Sequence, residues 1–102
     1  MDVKTYTKKD ISKRVAKNLN KGVSPIHDVV SETFGVMLEM LSEDRNNVRI
    51  EVRNFGVLTV KPTKAKPKAR NPRTNEEIYV PPHRKTHFKP GKVLKDVLKK
   101  PL

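Results

Sequence analysis

Six cations crowd into residues 61–76 against one anion, with three prolines and no large apolar side chain. The cations are Lys61, Lys64, Lys66, Lys68, Arg70 and Arg73. A stretch so charged and so poor in apolar surface cannot bury itself, and its chemistry is that of an arm ordering against a polyanion. Within it, Arg70-Asn71-Pro72 sets a rigid apolar ring beside a guanidinium. That pairing suits a wedge into the minor groove of duplex DNA, with Pro72 as the intercalating group. Two plainer readings share the same residues. Composition alone fits a disordered polycationic linker, and Asn-Pro dipeptides favour turns whatever they touch.

The basicity is local. Of a formal net charge of +12, residues 1–60 hold ten Lys/Arg against eight Asp/Glu, whereas residues 61–102 hold thirteen against three. General solubility does not predict that concentration, but a surface facing phosphates does; charge alone also fits an anionic membrane. Cysteine is absent, so neither disulfides nor a thiolate metal centre can brace the fold. His27, His83 and His87 are dispersed, and Pro81, Pro82 and Pro90 argue against the helix that would bring the last two together. We therefore expect no metal and no cofactor. Nucleophile, base and orienting acid are nowhere grouped, so no catalysis and no small-molecule substrate are expected. Asp2, Lys4, Lys8, Lys9 and Asp10 interrupt the start before an apolar stretch develops, and no run is long enough to cross a bilayer. The expected setting is soluble and cytoplasmic.

Elements that position the arm can be read on either side of it. With 102 residues, 34% hydrophobic side chains and three Phe plus two Tyr as the aromatic complement, the core is marginal once the arm is set aside. A second subunit is expected to complete it. Thr7 can cap a first helix, Asp10 can reach back to it, and Tyr6 can staple onto Ile11. Ile11, Val15 and Leu19 form a narrow apolar stripe before Asn20-Lys21-Gly22 ends the helix. Ser24-Pro25 starts a second helix, expected to run to about Glu43. At roughly 100° per residue, Ile26, Val29, Val30, Phe34, Val36, Met37, Leu38, Met40 and Leu41 fill an arc of roughly 200°. One thin-striped neighbour cannot cover that arc, and pairing with the same helix of a second chain is the economical solution.

Val48 to Val52 alternates as a half-buried strand, Asn54-Phe55-Gly56 reverses the chain, and Val57 to Val60 continues a hairpin. The third strand is expected at Glu77 to Val80, ended by Pro81-Pro82. The arm would then be a ribbon with its turn at Pro72-Arg73-Thr74-Asn75, and a short helix would run from Lys92 to about Lys99. Residues 1–102 thus read as one α+β domain. It divides into a helical dimerisation part (1–47), a sheet part (48–60 and 77–82), a DNA-binding arm (61–76) and a C-terminal helical segment (88–100). Phe34, Met37, Leu41, Phe55 and Phe88 are the expected dimer core.

Asn54-Phe55-Gly56, Arg70-Asn71-Pro72-Arg73-Thr74 and Phe88-Lys89-Pro90-Gly91-Lys92 with Leu94-Lys95-Asp96, at this spacing, resemble the bacterial HU and integration-host-factor family of DNA-bending, histone-like proteins. The resemblance covers nearly the whole chain. It implies two N-terminal helices, a three-stranded antiparallel sheet with a long protruding β-ribbon arm, a short C-terminal helix and an intertwined dimer. It also implies the wedge role for Pro72, which is a known mode of that family. Groove contact falls on Arg70, Asn71 and Arg73, and saddle contacts on Phe55, Gly56, Lys92 and Lys95. The partner implied is double-stranded DNA, and a homodimer is expected, although a paralogous chain is compatible with the architecture. The chain departs from the family in having Asn54, Ala69 and Asn75 where glycine is usual. The spacing from Gly56 to Pro72 is also one residue longer than usual. Asn tolerates positive φ; Ala69 does so less readily.

Other readings stay open on sequence alone. Lys92, Lys95, Lys99 and Lys100 also suit a solvated helix face, and Lys4, Lys8, Lys9 and Lys13 an ordinary helix start. An RNA-binding or ribosome-associated basic protein would share the charge but has little use for a proline wedge. A protein whose arms hold an acidic partner would not need DNA.

Overall fold

The computed structural model describes residues 2–64 and 66–102, with the side chains of residues 66–69 outside the description. Two compact units divide the chain, Met1–Met40 and Leu41–Leu102.

The first unit is a pair of helices, α1 (Lys8–Leu19) and α2 (Val23–Leu41). Helix α1 begins with the expected reciprocal cap. The Thr7 amide donates to Asp10 Oδ2 at 2.9 Å, and the Asp10 amide donates to Thr7 Oγ1 at 3.4 Å. These bonds, the backbone one foremost, hold the Asp10 carboxyl below its ordinary range. At the other end Asn20 takes φ 53° and ψ 51°, the left-handed stop that asparagine tolerates. Tyr6 lies exposed, with Lys4 Nζ 5.4 Å and Arg14 Cζ 5.5 Å from its ring centre.

The seam of α1 differs from the expected stripe. Ile11 and Leu19 are exposed, and the buried positions are Ser12 and Ala16, 0% and 1% exposed. Ser12 Oγ donates to Lys8 O at 2.7 Å, so it accepts from Nδ1 of His27 in α2, 3.0 Å away. Helix α2 starts at Val23, two residues before Pro25, the expected first helical position after a Ser24 cap, and ends at Leu41. Pro25 still lies in the first turn, where a missing N–H leaves no helical bond unmade. Of α2 only Val30 is buried, while Val29, Phe34, Leu38 and Met40 remain exposed.

The second unit holds five strands and a helix. β1 (Val48–Val52), β2 (Gly56–Pro62) and β5 (Arg84–Pro90) form an antiparallel sheet in the order β1-β2-β5. β3 (Lys66–Arg70) and β4 (Glu77–Val80) form a separate two-stranded ribbon. The third strand of the sheet is therefore 84–90 and not the expected 77–80, which belongs to the arm. Arg84-Lys-Thr-His-Phe-Lys-Pro has one large apolar residue, so its strand character comes from pairing along all of β2. Pro90 is tolerated because β5 is an edge. Pro62 ends β2 beyond the reach of β1, whose pairing stops at Val48 opposite Val60. Helix α3 (Lys92–Leu98) follows directly.

Alternation along the strands sorts the sheet into two faces. Register sets Val48, Ile50 and Val52 beside Leu58 and Val60, and those beside Thr86 and Phe88. That face carries the apolar residues, with Val60 buried. At its end the hairpin turns through Asn54 at φ 65°, and the Phe55 and Phe88 rings lie 5.3 Å apart, tilted by 43°. Gly56 sits beneath them. A β-carbon there would lie 2.6 Å from both Lys89 O and Phe88 Cε1, so no other residue fits without movement.

Candidate nucleic-acid interface

The ribbon closes at a compact tip. The Asn71 amide donates to Glu76 O at 2.9 Å and the Asn75 amide to Asn71 O at 2.7 Å. Asn71 Oδ1 accepts the Arg73 amide at 2.9 Å, a side-chain turn that asparagine forms readily. Asn75 takes φ 58°. Pro72 and Arg73 thereby stand exposed at the apex. The expected turn at 72–75 is found, and both asparagines substituting for glycine, at 54 and 75, adopt positive φ. Ala69 instead lies in β3 opposite Ile78. The pairing register shifts between Lys66 and Ala69, the interval that contains Pro67.

The cations of the arm are not equivalent. Arg70 is bound within the ribbon, donating from Nη1 to Asn75 Oδ1 at 3.2 Å, with Nη2 3.8 Å from Glu77 Oε1 on its cross-strand partner. Both side chains are more than half exposed, so the pair is weak and exchangeable. Asn71 uses its side-chain oxygen to build the turn. Arg73, Lys61 and Lys64 are exposed and make no ion pair among the described residues. The Lys66 and Lys68 side chains lie outside the described ones.

At the expected saddle, Lys92 and Lys95 are exposed on α3. The Phe55 amide donates to Val52 O at 3.0 Å, and Phe55 O accepts from the Gly91 amide at 2.8 Å. The Phe55 amide is thus engaged within the turn. Gly56 is buried.

The second face of the sheet was missed by the sequence reading. Pairing brings Arg49 opposite Thr59, Lys61 opposite Lys85, Thr59 opposite His87 and Val57 opposite Lys89. One exposed surface thus carries Arg49, Lys61, Lys85 and Lys89 with His87, although Arg49 Nε is held by Glu51 Oε1 at 3.0 Å. The available signal was the alternation Lys85, His87, Lys89, which acquires meaning only once 84–90 is known to be a strand. Among the described residues no cluster of His, Cys, Asp and Glu could hold a metal, and no helix is long and apolar enough to cross a membrane.

A helix pair, a three-stranded sheet, a basic ribbon and a short last helix make up the HU fold. An Anabaena HU solved in a cocrystal with DNA superposes with a TM-score of 0.80, covering 94% of this chain and all of that one, at 23% identity. The family model described as bacterial DNA-binding protein matches residues 6–99, and the chain belongs to that family of non-enzymatic, histone-like proteins. It is 38% identical over 73 residues to integration host factor subunit beta of Methylococcus capsulatus, covering 70% of each. It is 39% identical over 69 residues to the DNA-binding protein HU 1 of Bacillus subtilis, covering 68% of this chain and 71% of that one.

Proposed function

We propose that two copies of this chain bind duplex DNA through the minor groove and bend it by intercalating Pro72, compacting DNA and aiding nucleoprotein assembly in the nucleoid. The observation that carries this reading is Pro72 exposed at the apex of a ribbon whose exposed described cations include Arg73 and Lys64. The relatives named as DNA-binding or integration host factors supply further support.

Each residue set then has a physical role. Pro72 parts a base step, at roughly a few kcal/mol of lost stacking per kink. Arg73 holds the groove beside it, joined by Arg70 once that side chain exchanges Glu77 for the DNA. Asn71 contributes through the turn it builds. Lys64, Lys66 and Lys68 follow the phosphates along the arm, and Lys61 meets them at its base, from the sheet face it shares with Lys85. Lys92 and Lys95, with Lys85 and Lys89 on the basic sheet face, receive the flanking duplex after it bends. Phosphate contacts dominate affinity, which therefore falls steeply with salt. Sequence preference would arise from DNA deformability more than from base-edge contacts.

Dimerisation follows from what one chain leaves uncovered. Ala16, Val30 and Val60 are the buried apolar residues among those described, while Phe34 is 41%, Leu38 67% and Phe55 52% exposed. The paired α2 helices, with Phe34, Met37 and Leu41, and the Phe55 and Phe88 rings would form the shared core. The isologous arrangement gives two arms and two kinks.

End-to-end fluorescence transfer across a short, doubly labelled duplex tests the reading. Wild type should shorten the distance. Pro72→Ala should bind at matched saturation with much less shortening; equal loss of binding and bending would remove Pro72 from the wedge role.

A further inference from the structure

The arm meets the sheet where the backbone is least able to continue a ladder. β2 and β5 pair as far as Pro62 opposite Arg84, and the ribbon resumes at Lys66 opposite Val80. Pro62, Pro81 and Pro82 stand at this junction, and none of them has an N–H to donate. A junction of this composition would ordinarily be a loose hinge.

Thr63 and His83 fill the gap instead. The Thr63 amide donates to His83 O at 2.7 Å, and the Thr63 hydroxyl donates to the same oxygen at 3.0 Å. The His83 amide returns a bond to Thr63 Oγ1 at 3.2 Å. His83 Nδ1 lies 3.1 Å from Pro81 O and 3.1 Å from Thr63 Oγ1. A carbonyl only accepts, so Nδ1 carries the proton and shares it between the two oxygens. The neutral Nδ1–H form and the imidazolium both carry that proton, so the arrangement holds in either state. Next in sequence, Arg84 donates from Nη1 to the carbonyls of Glu43 and Arg45, tying the root of the arm to the segment before β1.

We infer that Thr63 and His83 are positioning residues for DNA bending: their clasp fixes the direction of the arm at its root before DNA arrives. The inference rests on the bending function proposed above. An arm already aimed loses less conformational freedom on binding, so more of the contact energy remains to deform the duplex. Pro72 acts at the tip, and the clasp determines where that tip stands.

Thr63→Val keeps the side-chain shape and removes the hydroxyl, whereas Thr63→Ser keeps the hydroxyl. Amide hydrogen exchange in the intact free protein reads the clasp directly. In Thr63→Val the His83 amide should exchange about tenfold faster, the effect of losing one net hydrogen bond. The Leu58 amide, inside the sheet, should be unchanged. On DNA at matched saturation, Thr63→Val should give lower end-to-end transfer than wild type, and Thr63→Ser should restore it. Unchanged exchange at His83, or equal acceleration at Leu58, would overturn the clasp. Faster exchange at His83 with wild-type bending would overturn its positioning role. Should wild type itself fail to bend DNA, the bending function and the positioning role both fall, while exchange at His83 still decides whether the clasp exists.

Discussion

Replacing Gly56 by alanine isolates one steric requirement of this fold. Gly56 does not adopt positive φ, so alanine faces no backbone penalty there. The obstruction is space. The new methyl would stand 2.6 Å from Lys89 O, 2.6 Å from Phe88 Cε1 and 2.7 Å from Phe88 Cζ, against 3.4–4 Å for ordinary contact. The Phe88 ring can swing aside, but it then leaves the Phe55 ring, now at 5.3 Å. The Lys89 carbonyl belongs to the strand paired with β2 and moves only if that end of the ladder opens at Gly56 opposite Pro90. Overpacking of this kind costs about 1–3 kcal/mol, and obstruction by backbone argues for the upper half of that range. Stiffening of the unfolded chain offsets roughly 0.4–1 kcal/mol. A net loss of about 1–2.6 kcal/mol should lower Tm by roughly 4–21 °C for a domain of this size. Thermal unfolding by circular dichroism at fixed protein concentration measures it, since the proposed dimer would make Tm concentration-dependent. Repeating the change in a Phe88→Leu background separates ring from backbone: the penalty should shrink but not vanish, because Lys89 O remains. A Gly56→Ala protein melting within about 2 °C of wild type would refute the reasoning.

Met37→Lys puts a charge within the uncovered face of α2 and should leave a monomer in sedimentation or light scattering; a stable dimer would show that another face carries the contact. Lys64→Ala should flatten the slope of log affinity against log salt by about one per arm if each lysine neutralises one phosphate, and an unchanged slope would take Lys64 out of the interface. Asp10→Asn should reduce acid sensitivity. A carboxyl whose folded pKa is lowered contributes stability that is fully present above its ordinary value of 3.8 and is lost as pH falls through the lower folded value. Urea midpoints between pH 5 and 2 should therefore fall less steeply in the variant, and parallel curves would remove the cap from the acid response.

Some of this architecture is carried by local chemistry and is legible in the residues alone. The Thr7–Asp10 cap, the left-handed stop at Asn20, the positive φ at Asn54 and Asn75 and the Pro72 apex each depend on a few adjacent residues. Their side chains or rings favour one backbone conformation whatever surrounds them. The concentration of cations after residue 60 is equally local and marks the arm. What such chemistry cannot decide is partnership between distant strands. Glu77-Ile-Tyr-Val looks more like a sheet strand than Arg84-Lys-Thr-His-Phe-Lys-Pro, yet β2 pairs with the second along its full length, leaving the first to the ribbon. That choice assembles a basic face from Arg49, Lys61, Lys85 and Lys89, residues up to 40 positions apart. Tertiary structure alone likewise decided that α1 buries Ser12 and Ala16 while Ile11 and Leu19 stay exposed, because hydropathy marks large side chains and not which positions meet a neighbour. The clasp at the root of the arm has the same origin: Thr63 and His83 are unremarkable in sequence, and strand pairing across 20 residues brings their hydrogen-bonding groups together.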